Sequence, residues 1–489
     1  MCWFLLLATV LSVVGAHRNS LCPLRIPLWL REDPNQGPFR AQPEQIALSY
    51  AGDPTQMWIT WLTFDDTLES IVEFGETQLE WSVRGNMTAF IDGGEKRKIR
   101  YIHRVLLENL KPGTSYIYHV GSTFGWSSIY HFTALHERPD GGYIFGVYGD
   151  LGYINPRSLG KIQQNAQRGL IDMVLHIGDI AYDLHTDDGD FGDAFGRQIE
   201  PISATIPYMM VVGNHENAYN FSHFVNRYTM PNTNHNLFYS FDLGPAHFVA
   251  ISTEFYFFTN YGWEQLKTQW NWLIADLEAA SKNRDKHPWI ITMGHRPMYC
   301  SNYNDEDCTR YECVTRVGLP DSHAYGLEKL FHKYGVDLEI WAHQHSYERM
   351  WPVYNRTVFN GSADPYVNPP APVHVVTGSA GCQENTDPFV EHPSPWSAFR
   401  SSNYGFSRMH IFNSTHLYFE QLAAIKPETE DSFWLIKHEH GPYYGKHRKA
   451  MMKYGFHVDR NWRPTYKNRT GNELESESQI RFIPQEFLC

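Results

Sequence analysis

Apolar and polar residues alternate through the first part of the chain and then give way to short apolar blocks, with the change near Gly142. From residue 36 to about 136 the period is two. Met57, Ile59 and Trp61 share one face of "QMWITWL", and Tyr116, Tyr118 and Val120 share one face of "SYIYHV". This spacing predicts half-buried strands, and Pro112-Gly113 predicts a turn between two of them. The segment reads as an all-β domain without a cluster of catalytic residue types. Residues 136–142, "HERPDGG", read as a linker.

Beyond the linker the apolar runs are continuous: "YIFGVYGD", "DMVLHIGD", "IPYMMVVGNHE", "AHFVAISTE", "PWIITMGH", "VDLEIWAHQH" and "APVHVVTG". Between two of them Leu266, Trp270, Leu273 and Leu277 recur at helical spacing. A second helix, "GLEKLFHKYG", ends at Gly335, a residue suited to the left-handed turn that closes a helix. Strands interleaved with helices predict a layered α/β domain over about 140–440. Residues 441–489 are polar, end on Cys489 and read as a surface-packed extension.

Composition narrows the setting. The chain has 489 residues and a net charge of −13, with no basic block near the apolar runs. That excludes a general nucleic-acid surface, which needs Lys and Arg to neutralise phosphates. Residues 1–16, "MCWFLLLATVLSVVGA", are apolar and end in small residues, which predicts a cleaved signal peptide. The run is shorter than the roughly 20 residues a span requires, and no later run could cross a bilayer. Export to the extracellular space or the lysosome follows equally from that signal. Cys22, Cys300, Cys308, Cys313, Cys382 and Cys489 then remain, an even set that predicts disulfides and a clamped loop around Cys300–Cys313. Six sequons, at Asn86, Asn220, Asn355, Asn360, Asn413 and Asn468, predict surface loops bearing N-linked glycans.

The residues that end the apolar runs carry the chemistry. Asp150 ends the first, Asp179 and Tyr182 the second, and Asn214, His215 and Glu216 the third. His295 ends a later run, and His343 and His345 another. Any one of these fits a turn or a hydrogen-bonded core residue. Together they form a ligand set, because open α/β sheets bind ligands outside the carboxyl ends of their strands. Two carboxylates, a phenol, an amide oxygen and three imidazoles exceed what one tetrahedral zinc needs. They suit two ions that clamp the oxygens of a phosphoryl displacement, with Asp179 placed to bridge them.

The blocks Asp150-Leu-Gly152, Gly178-Asp179-x-x-Tyr182, Gly213-Asn214-His215-Glu216, His295 and His343-x-His345 resemble the metallophosphoesterase signature in its purple acid phosphatase form. "DSFWLIK", near residue 434, is also similar to the long members of that family. In the β-domain, Leu110-x-Pro112-x-Thr114-x-Tyr116-x-Tyr118 resembles fibronectin type III sandwiches. The resemblance implies a ferric ion on Asp150, Tyr182 and His345. It implies a divalent ion, zinc or else iron or manganese, on Asn214, His295 and His343, with Asp179 shared. Phenolate-to-iron charge transfer would colour the protein. The implied reaction is hydrolysis of small phosphate monoesters by a metal-bound hydroxide at acid pH, with His215 catalytic and Glu216 supporting. Three departures stand out: Thr292 and Ala342 replace the usual Val and Gly, and Asn304 and Asp305 fall where plant members carry a substrate-binding His pair. The alternatives are a phosphodiesterase or nucleotide pyrophosphatase with the same metals, and a weakly active secreted binding module.

Overall fold

A computed structural model describes residues 40–446 apart from 234 and 427, and short pieces from 449 to 474. The predicted signal peptide, Cys22, Asn468, Cys489 and most of the 441–489 extension lie outside the described residues. The period-two segments form two antiparallel sheets. One runs in the order Glu44–Tyr50, Met57–Thr63, Ile99–Leu107, Asn86–Ile91. The other is built around Ile71–Gly75 and Ser115–Ser122. Met57, Ile59, Trp61, Tyr116, Tyr118 and Val120 all enter the core between them, as their alternation requires.

All seven apolar runs beyond Gly142 are strands. Tyr208–Val211, Met173–Ile177 and Tyr143–Tyr148 are parallel neighbours, and three antiparallel strands from Gly405–Ile411 to Thr429–Ile436 extend that sheet. Ala246–Ala250, Trp289–Met293, Leu338–Trp341 and Val373–Thr377 are parallel neighbours in a seven-stranded sheet. The two sheets share one core, in which the Phe145 and Phe248 rings lie 5.0 Å apart. Helix Glu264–Lys282 buries Leu266, Leu273 and Leu277, while Trp270 is only half-buried. Helix Leu327–Tyr334 ends at Gly335 with φ 72°, the left-handed closure expected there. No helix among the described residues is long and apolar enough to cross a membrane.

The β-domain is locked to this core by a buried ionic network. Arg100, on Ile99–Leu107, donates to both Asp193 carboxylate oxygens (2.9 and 2.7 Å) and to the Asp188 carbonyl (2.8 Å). Arg227 reaches the same Asp193 at 2.7 Å and the Gly189 carbonyl at 2.9 Å. The first domain therefore braces the loop that follows Tyr182.

Candidate metal centre

Parallel strands bring their carboxyl ends to one edge. Three come from the first sheet, carrying Asp150, Asp179 and Asn214, and two from the second, carrying His295 and the His343–His345 segment. The chain turns sharply to aim these groups inward. Asp150, Asp179, Tyr182 and His343 all have positive φ (58°, 48°, 53° and 68°), an uncommon and strained state for residues other than glycine. Glycines line the same edge because side chains would collide with the donors. A Cβ at Gly378 would come 2.6 Å from an Asp150 oxygen, and one at Gly213 would overlap Asp179. Gly149 faces the Ala342 methyl in the same way, so the Ala342 departure is accommodated from the opposite strand. Thr292 lies buried inside its strand.

Two knots of donors result. In the first, the buried Tyr182 hydroxyl is 2.8 Å from an Asp150 oxygen and 2.8 Å from His345 Nε2. In the second, His295 Nε2 is 3.0 Å from Asp179 Oδ2 and 3.3 Å from Asn214 Oδ1, and one ligand atom each of Asp179, His295 and His343 lies within 4.8 Å of the others. The outer ring atoms are already engaged: His295 Nδ1 with the Ile177 carbonyl at 2.9 Å, and His345 Nδ1 with the Asn385 carbonyl at 2.8 Å. Such contacts fix a tautomer and leave the inner nitrogen to bind. Glu216 accepts the backbone N–H groups of Asp179, Ile180 and Gly213 at 2.8–2.9 Å, so it splints the turn that bears Asp179. Burial and the Asp179 charge push its carboxyl up to about 8.

This donor set fits two cations. Burial first, then the charges of Asp150 and Asp179, raise the Tyr182 phenol well above its usual range, so a neighbouring cation is needed to make it a phenolate. Burial opposes charge on Asp179, yet His295 and His215 hold its carboxyl well below the usual range. The first knot, with a carboxylate and a phenol, is rich in oxygen and suits a hard ion. The second, with two imidazoles, suits a softer divalent ion.

Four residues at the site were not singled out in the sequence. Asp183 Oδ1 is 2.5 Å from His215 Nδ1, and Glu384 Oε1 is 3.7 Å from His215 Nε2. Burial alone would lower the His215 pKa, but Asp179 and the Asp183 hydrogen bond push it up to about 10. Arg296, next to His295, donates to Glu254 at 2.9 Å and lies 3.0 Å from His343 Nε2. Glu306 Oε2 is 3.5 Å from the same nitrogen and 3.8 Å from Arg296. Asn304 donates to Gln344, between the two histidines, at 2.6 Å. The Asp305 side chain is 84% exposed and 3.9 Å from Arg310.

The expected disulfide clamp is present in the Cys300–Cys313 loop, and the described residues hold two further cysteines. Cys300 and Cys308 form a disulfide, whereas Cys313 and Cys382 are buried thiols. Cys313 Sγ faces an Asp307 oxygen at 3.1 Å, and Cys382 Sγ sits 3.5 Å from His345 Nδ1. Of the sequons, Asn86, Asn220, Asn355 and Asn413 are exposed and Asn360 is half-buried.

The paired sheets and the donor-lined edge define a metallophosphoesterase. Comparison with known families and proteins narrows the class. Residues 43–134 match the purple acid phosphatase N-terminal domain, 143–347 calcineurin-like phosphoesterase, and 371–432 iron/zinc purple acid phosphatase-like protein C. The chain is 49% identical over 415 residues to acid phosphatase type 7 of Danio rerio, covering 83% of this chain and 94% of that one. It is 30% identical over 360 residues to Fe(3+)-Zn(2+) purple acid phosphatase 12 of Arabidopsis thaliana, covering 69% and 72%. Among solved structures it resembles purple acid phosphatase PPD1 from yellow lupin (Lupinus luteus) seeds, with a TM-score of 0.68, 25% identity and coverage of 81% and 75%. The chain belongs to the purple acid phosphatase family and is an acid phosphatase.

Proposed function

We propose that the protein is a secreted or lysosomal glycoprotein that hydrolyses small phosphate monoesters at a binuclear metal centre. The observation that carries this reading is the pair of donor knots at one sheet edge, with Asp179 in the second and its charge felt by the Tyr182 phenol of the first. Asp150, Tyr182 and His345 would hold a ferric ion, Asn214, His295 and His343 a divalent ion, and Asp179 both. When bound, the ions supply Lewis acidity, an acidified water and the positive charge that draws a phosphate into an acidic protein.

The protein's own groups do the rest. Asp183 fixes His215 through Nδ1, so the proton on Nε2 is turned toward Asp179 and the ester. His215 is thereby set to give that proton to the leaving oxygen. Arg296 is immobilised by the buried Glu254 and by the Phe257 ring 4.4 Å below its guanidinium, a poised anchor for a phosphate oxygen. Glu306 competes for that cation: its Oε2 lies 3.8 Å from the Arg296 guanidinium. The signal sequence and sequons support passage through the secretory route.

Two experiments test the assignment. Metal analysis and visible absorption should find iron and a broad band that Tyr182→Phe removes. A colourless protein with two metals would refute the ferric–phenolate assignment. In steady-state kinetics, Arg296→Gln should raise KM for an aryl phosphate by about 10-fold or more, the scale of a lost charged hydrogen bond. Glu306→Gln should lower KM; unchanged values in both variants would remove this pair from substrate binding.

A further inference from the structure

The outward face of the six-stranded sheet, away from the metal centre, carries an aromatic platform. His410, Tyr418 and Trp434 are direct cross-strand partners on three adjacent strands. Phe412 stacks on His410 with ring centroids 3.5 Å apart, and Trp434 lies 4.9 Å from Phe412 and 5.1 Å from Tyr418. His416 closes the edge, 6.1 Å from Trp434. Phe412 is 41% exposed and Trp434 43%. Adjacent large rings left in water mark a surface that something covers.

The sequence at its edge indicates the occupant. Phe412 is followed at once by the sequon Asn413-Ser414-Thr415, in the tight connection between Gly405–Ile411 and His416–Ala423. Asn413 Oδ1 accepts three hydrogen bonds, from the Thr415 N–H, the Thr415 hydroxyl and the His416 N–H, each 2.9 Å. Trp289 Nε1 holds the Asn413 carbonyl at 2.8 Å, so the turn is anchored to the core. Its carboxamide is fixed through oxygen, and Nδ2, on an exposed residue, is the atom left to bear a sugar.

We propose that Asn413 carries an N-linked glycan whose first N-acetylglucosamine residues lie on the Phe412–Trp434 platform. The inference rests on the secretory reading above. The glycan comes from a lipid pyrophosphate oligosaccharide donor. Asn413 Nδ2 bonds to the anomeric carbon, the carbon–oxygen bond to phosphate breaks, and the lipid pyrophosphate leaves with that electron pair while Nδ2 loses one proton. A pyranose ring has an apolar C–H face and hydroxyls on its rim. It covers aromatic rings while its polar groups stay wet, whereas a protein partner would be obstructed by the sugar at the platform's edge.

The test uses the full-length protein secreted from eukaryotic cells. Glycopeptide mapping should find Asn413 occupied. Trimming its glycan with the protein folded should lower Tm by about 1–3 °C, the size of one lost stacking contact in a domain this large, and change Trp fluorescence. In Trp434→Ala the same trimming should leave Tm unchanged, which isolates the contact from any general effect of glycosylation. An empty Asn413 beside glycosylated Asn86 or Asn220 overturns the proposal alone. Equal Tm and fluorescence before and after trimming also overturn it. Absence of glycan at every sequon overturns both the proposal and the secretory reading.

Discussion

Asp179→Ala should abolish metal retention and phosphatase activity together while leaving the polypeptide folded. Asp179 belongs to the second knot, with its Oδ2 3.0 Å from His295 Nε2, its Oδ1 accepts the His215 N–H at 2.9 Å, and its charge acts on the Tyr182 phenol of the first knot. The turn that carries it is held independently, because Glu216 binds the backbone N–H of Asp179 and not its side chain. The variant should therefore keep its circular dichroism, and its Tm should no longer rise when metal is added, because the linkage to metal binding is lost. Elemental analysis after desalting checks the first expectation and aryl phosphate hydrolysis the second. An active variant with full metal content would sink the bridging assignment.

Much of this site was legible because its geometry follows from strand ends. A wholly apolar run predicts a buried parallel strand, and a donor after its last residue must emerge at the carboxyl edge. Asp150, Asp179, Asn214, His295 and His343 obey that rule, and all come together. Loops do not obey it. Position counting drew attention to Asn304 and Asp305, but Asp305 has φ 51°, and a left-handed residue reverses the side on which its neighbours emerge. Glu306 consequently reaches Arg296 and His343 while Asp305 faces solvent. Asp183 was hidden for a similar reason. It follows the left-handed Tyr182, and its bond to His215 joins two loops that periodicity does not relate. The cysteines illustrate a further limit: an even number says nothing about which thiols approach one another, and Cys313 faces Asp307 instead of a second sulfur.

His215→Ala should reduce kcat by about 10²- to 10⁴-fold, the usual contribution of a positioned general acid, with metal content unchanged. The size of the loss should depend on the substrate. A leaving group that departs readily as an anion needs no proton, so the deficit should be small for p-nitrophenyl phosphate and large for an alkyl phosphate. Asp183→Asn offers a gentler version of the same test. It keeps the shape around His215 Nδ1 but removes the carboxylate that helps hold the imidazole charged. Its deficit should follow the same leaving-group order at reduced amplitude. An equal loss on both substrates would assign His215 to charge stabilisation on the phosphoryl group rather than to proton donation. No loss on either would make it a structural residue, packed 4.2 Å from the Tyr182 ring.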